Sequence, residues 1–279
     1  MTLQKLLSLL IIAGLYSCMN NAPNNASENV LPTDTVWGTR TAATEITEPE
    51  TNDFYFPADS LFIAKVLMTG PFHEDEVWPT AKDENWMGLF KSDNGYYTAP
   101  TRIRTTKVFD PVLDEDSLVN KTGWQVEAIN QDSCLLLVSP LSFLKAKTVE
   151  PLLLKRDKIY PGDTLSFHYS GTDYKLYATG TKKKVQHDPL WYEVWNYRLY
   201  LQASKNGKLL EELLVAQPRF DDQMISIMFA GDIDGDGFLD LLIDTSSHYN
   251  MISPTLYLSA PAEKGHLLKV AGQHIAVGC

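Results

Sequence analysis

Residues 195–201 read Trp-Asn-Tyr-Arg-Leu-Tyr-Leu, and in them Trp195, Tyr197, Leu199 and Leu201 alternate with Asn196, Arg198 and Tyr200. A period of two puts the first set on a dry face and the second on a wetter one, which is the pattern of a half-buried β-strand. The same alternation appears on either side. Trp124, Val126 and Ala128 alternate with Gln125 and Glu127, and Leu165, Phe167 and Tyr169 alternate with Ser166 and His168. Further strands are predicted over 62–68, 103–109, 134–138, 174–178, 209–216, 225–230, 239–243, 255–258 and 267–271. Between them lie Pro161-Gly162-Asp163, Ser170-Gly171-Thr172-Asp173 and Asn206-Gly207, residues that favour tight turns. No segment carries a 3.6-residue apolar stripe long enough to require a helix; residues 141–149 alone admit a short one. The expected class is all-β and antiparallel, a sandwich or a set of meandering sheets. A weak boundary near residues 155–163 leaves two β subdomains possible.

Composition narrows the function. The chain has 279 residues, 44% of them hydrophobic, enough for a sizeable core. Its net charge of -11 repels phosphate backbones and anionic headgroups, so nucleic acid is not an expected partner. The 3 cysteines, Cys18, Cys134 and Cys279, are too few for a disulfide-built scaffold or a four-thiolate zinc site, and they lie far apart. Cys134 and Cys279 pair only if the fold brings them together; a buried free thiol and a frayed terminus is the other reading.

Residues 1–17, MTLQKLLSLLIIAGLYS, carry Lys5 and then an apolar run from Leu6 to Leu15. The run is about half the roughly 20 residues that a transmembrane helix needs, so it reads as a secretory leader. Leu15-Tyr16-Ser17-Cys18 resembles the lipobox of bacterial lipoproteins. That resemblance implies cleavage before Cys18, lipidation of Cys18 and attachment to the membrane through the lipid. Met19 stands where aspartate would signal inner-membrane retention, so the implied location is the outer membrane. Residues 18–53 are rich in Asn, Thr, Pro and Glu and cannot bury enough apolar surface to offset their ordering entropy, so they read as a tether for a β-rich domain over 54–279.

One stretch carries chemistry. Residues 232–240 read DIDGDGFLD, which places Asp232, Asp234, Asp236 and Asp240 at positions 1, 3, 5 and 9 of a calcium loop and the carbonyl of Phe238 at position 7. Calcium takes six to eight hard oxygens, and this spacing gathers four carboxylates and a carbonyl about one point. Gly237 at position 6 permits the sharp turn, and Gly235 eases the backbone between like charges. Position 12 is Ile243 rather than a bidentate glutamate, and strands flank the loop where an EF-hand would have helices. With Phe229-Ala230-Gly231 just upstream, the loop resembles the FG-GAP, or integrin-type, calcium repeat. The resemblance implies Asp232, Asp234, Asp236, Phe238 and Asp240 as ligands of Ca2+. Only one copy is present, which argues against a complete β-propeller. Asp244 reads as a turn acceptor.

Other candidates have plainer explanations. His73-Glu74-Asp75-Glu76 has no partner histidine at zinc spacing and reads as a solvated loop. No G-x-S-x-G elbow, P-loop or G-x-G-x-x-G unit occurs. Trp191, Tyr192, Trp195, Tyr197 and Tyr200 would suit a glycan platform, but Trp195 and Tyr197 share the face of Leu199 and Leu201 and read as core. Lys182-Lys183-Lys184 reads as a solvated hairpin loop. The favoured reading is a non-enzymatic envelope lipoprotein with one structural calcium ion that binds an envelope protein or glycan. The alternative is an envelope hydrolase acting on glycan or peptide.

Overall fold

A computed structural model describes residues 53–278 apart from 117, 118, 187, 189, 190 and 206. The expected leader, Cys18 and almost all of the expected tether lie outside the described residues, as does Cys279. In the first half, β1 (Val66–Leu67), β3 (Trp86–Ser92), β4 (Gly95–Thr101), β7 (Ser133–Val138) and β8 (Lys147–Val149) form a five-stranded sheet in the order β1-β7-β3-β4-β8. Beside it lies a three-stranded sheet of β2 (Gly70–Phe72), β6 (Gly123–Ala128) and β5 (Ile103–Val108). The second half begins with a long meander of β9 (Thr164–Tyr169), β10 (Thr172–Lys184), β11 (Tyr192–Lys205) and β12 (Lys208–Arg219). It ends with the sheet β13-β14-β16-β17, from β13 (Ser226–Gly231), β14 (Asp240–Asp244), β16 (Pro254–Leu258) and β17 (Lys269–Gln273). A small pair, β15 (Met251–Ile252) and β18 (Ala276–Val277), completes the set. All strand pairings are antiparallel, and none of the sheets closes into a barrel or propeller.

The apolar pattern explains the stacking. In β14, Leu241 and Ile243 join the cluster of Tyr174, Leu176, Tyr197 and Leu199, while Leu242 between them joins Leu89, Leu136 and Val138. In β16, Leu256 and Leu258 face the second of these clusters and Tyr257 the first. The sheet of β13, β14, β16 and β17 is therefore a middle layer, dry on both faces, between the meander and the five-stranded sheet. This accounts for its continuous apolar runs, because a strand buried on both sides has no wet position to alternate. Each such leucine or isoleucine contributes about 1.5–3 kcal/mol by leaving water. The five-stranded sheet repeats the arrangement: Leu137 turns away from Leu136 to meet Phe72, Ile103 and Val126 near the three-stranded sheet. Buried tyrosines tie the layers, with Tyr257 donating to the Leu214 carbonyl at 2.5 Å and Tyr197 to that of Ile159 at 2.8 Å.

Both ends of the described chain are fastened to this stack. Phe56 exchanges backbone hydrogen bonds with Ala216 on β12, and the amides of Ile63 and Ala64 both donate to the Ala271 carbonyl on β17. His274 bonds the Glu76 carbonyl, and the Val277 amide donates to Glu76. Residues 155–163 run along the stack with Ile159 fully buried in it, and the described residues form one compact unit.

Three expectations are corrected. Residues 141–149 form no helix: a turn near Leu141–Leu144 leads into β8. Lys182, Lys183 and Lys184 are not in a loop; they pair with Val194, Glu193 and Tyr192 as the end of β10, because the irregularity at Gly180 shifts the register without ending the strand. Strands β3 and β4 were not anticipated.

Candidate metal centre

The loop 232–239 joins β13 to β14, with Gly231 paired to Asp240 at its base. Its feet are anchored on both faces of the middle layer, Ile233 in the cluster with Phe229 and Leu242, Leu239 in the cluster with Leu241 and Ile243. Gly231 is needed for close approach: a Cβ there would lie 2.6 Å from the Glu150 carbonyl, where residue 151 bridges to this strand.

Three of the predicted ligands converge. Asp232, Asp234 and Asp240 each offer a carboxylate oxygen, and these oxygens lie within 4.8 Å of one another. Among the described residues, this is the one such group of three or more metal-binding side chains. Asp240 is fully buried and takes four donors: the amides of Ile233 and Asp234 at 2.7 and 2.9 Å, and the amide and hydroxyl of Ser259 at 2.7 and 2.9 Å. Asp234 accepts from the Ala260 amide at 2.9 Å and the Asp236 amide at 3.2 Å. Asp232 accepts from the amides of Gly235 at 2.6 Å and Gly237 at 3.2 Å, and from Lys147 at 2.9 Å. The predicted ligand Phe238 is half-buried beside them, and Asp236 stands differently. Asp236 is exposed and lies outside the trio; its Oδ1 accepts from the Ser259 hydroxyl and the Phe238 amide, both at 2.8 Å.

Burying carboxylates without water is costly, and it shows in their acidities. Burial pushes Asp234 up to about 6, with the charges of Asp236 and Asp232 adding to the effect and the amides of Ala260 and Asp236 opposing it. Asp240 is raised well above the usual carboxylate range, first by burial and then by the charge of Asp234. A hard divalent cation suits this donor set, because it would offset the charge that burial penalises.

Two partners of the loop have no local signature in the sequence. Ser259 directly follows β16, which pairs with β14, so it reaches Asp240 only through sheet register. Lys147 arrives from β8 of the five-stranded sheet.

The remaining candidates resolve into structural roles. Asp244 accepts the amides of Ser246 and Ser253 at 3.1 and 2.8 Å, as a turn acceptor should. His73 is held by Asp110 at 2.6 Å, and that hydrogen bond raises its pKa. Asp110 and Asp114 gather backbone amides within their own loop. Trp195 and Tyr197 are core, at 3% and 1% exposure. Cys134 is free, and burial pushes its thiol up to about 12. A cleft of about 240 Å³ lined by Phe56, Leu213, Tyr257 and Leu268 holds the His266–Glu212 pair, but no residue of the aspartate loop lines it. No described helix is long and apolar enough to cross a membrane.

Comparison of the chain with models of protein families, with curated proteins and with solved structures finds no match.

Proposed function

We propose that the loop 232–240 binds one calcium ion as a structural element, and that the chain is a lipid-anchored envelope protein whose β body binds a partner rather than catalysing a reaction. The observation that carries the calcium reading is the convergence of Asp232, Asp234 and Asp240 at the buried base of a loop with calcium-loop spacing. Asp232, Asp234 and Asp240 would hold the ion, with Asp236 and the Phe238 carbonyl as the further oxygens that the spacing supplies. The ion contributes a double positive charge and nothing redox-active. The loop closes β13 onto β14 and, through Ser259 and Ala260, reaches the end of β16. An ion there would brace three strands of the middle layer.

Extracytoplasmic calcium near millimolar would fill a site of about 10⁻⁴ M affinity. A ligand at about ten to a hundred times its Kd stabilises by about 1.4–2.7 kcal/mol. For a domain of this size that is a rise in Tm of about 3–10 °C. Melting wild type and Asp234→Asn in about 1 mM calcium and in chelator is expected to show this rise in wild type only. Equal melting temperatures in all four samples would refute the calcium reading.

The lipid anchor rests on Leu15-Tyr16-Ser17-Cys18. An outer-membrane position follows from Met19, and the partner class is an envelope protein or glycan. Mass spectrometry of the mature amino terminus is expected to find an acylated, diacylglyceryl Cys18. An unmodified Cys18, or cleavage elsewhere, removes the anchor.

A further inference from the structure

The aspartate loop already faces a cation supplied by its own chain. Lys147 Nζ lies 2.9 Å from Asp232 Oδ2 and 3.0 Å from the Asp232 carbonyl oxygen. The two residues are 85 apart in sequence and belong to different layers. Lys147 is not a free surface side chain: its backbone pairs with Thr98 on β4, and the Thr98 hydroxyl donates to the Lys145 carbonyl at 2.7 Å. Its stem runs across the loop. A Cβ on Gly235 would sit 3.3 Å from Lys147 Cδ and 3.5 Å from Nζ, so the glycine between Asp234 and Asp236 clears the path of this side chain as well as turning the backbone at φ +93°.

Asp232 is also the first of the three converging carboxylates. A divalent ion among those oxygens and an ammonium on one of them are like charges within a few ångströms, and each weakens the hold of the other. We infer that Lys147 is a built-in competing cation, which pairs with Asp232 and must be displaced from it when a divalent ion binds. Lys147 thereby sets the affinity of the loop. This rests on the calcium reading and goes a step beyond it. The opposite role, in which Lys147 holds Asp232 ready for the metal, predicts the opposite sign, so the two are separable.

Calorimetric titration of calcium into the wild-type chain, Lys147→Met and Lys147→Arg decides between them. Lys147→Met is expected to bind about ten-fold or more tighter than wild type, while Lys147→Arg, which keeps the charge, stays within about three-fold. Equal or weaker binding by Lys147→Met overturns the competing role and leaves the calcium reading intact. No heat from any of the three chains overturns both. A second measurement needs no variant: acylation of Lys147 by an amine reagent, followed by peptide mass spectrometry, is expected to rise several-fold on adding calcium. Lys183, exposed on β10, serves as the unchanged internal reference. Constant Lys147 reactivity in calcium-bound protein overturns the displacement.

Discussion

Asp240→Ala is expected to cost about 3–6 kcal/mol of unfolding free energy. Three backbone amides, those of Ile233, Asp234 and Ser259, now point at this fully buried carboxylate, and alanine leaves all three without an acceptor. An unpaired buried donor costs about 1–3 kcal/mol, and relief from burying one acid offsets part of the sum. Asp236→Ala makes the contrast within the same loop. Asp236 is exposed, and water can replace it at Ser259 and Phe238, so the cost stays below about 1 kcal/mol. Urea unfolding followed by tryptophan fluorescence measures both. Similar losses for the two variants would mean that the loop is not organised around Asp240.

Calcium affinity is expected to climb steeply with pH, by at least about ten-fold between pH 5 and pH 7. Burial raises Asp234 to about 6 from its usual 3.8 and lifts Asp240 well above the usual carboxylate range, so the folded state keeps these protons where the unfolded chain has lost them. Stability from Asp234 is therefore fully present below about 3.8 and is lost as pH rises through about 6, and the raised Asp240 acts in the same direction. Calcium requires the ionised carboxylates, so binding expels the retained protons and strengthens as they leave. Below its pKa each such group makes affinity rise about ten-fold per pH unit. Titrations at pH 5, 6 and 7 test this. An affinity that does not change over that range would show that Asp234 and Asp240 are not ligands, whatever else the loop binds.

The β class was legible in the sequence because alternation in Trp195–Leu201 is a one-dimensional record of two environments. Stacking was not. Leu239–Ile243 reads as apolar throughout, and only the fold shows that Leu241 and Leu242 serve different interfaces. β3 and β4 escaped notice for related reasons: Leu89 and Phe90 are both buried, and Pro100 sits in β4, where sequence rules discourage a strand. The aspartate loop was legible because its chemistry is local, with the carboxylates at fixed spacing on one turn. Spacing did not tell Asp236, which is exposed, from Asp234, which is buried. Lys147 and Ser259 were invisible because their proximity to the loop is created by strand register and layer packing, and neither leaves a trace near residue 232.

The layer in the middle of the stack is also the one the ribosome makes after the sheets on either side of it. Translation delivers the five-stranded sheet, the three-stranded sheet and the meander before Ser226 emerges, at roughly 5–20 residues per second. Until then the apolar faces around Leu136 and Leu199 have nothing to close against, since Leu241, Leu242, Leu256 and Tyr257 all come later. Even the arm at Ile63 and Ala64 waits for Ala271. The early half can close the cluster around Leu137, Phe72 and Val126, but not the face around Leu136. The nascent chain must be kept from self-association until β13 to β17 are available, and a product stopped short of β13 is left with two unfilled surfaces.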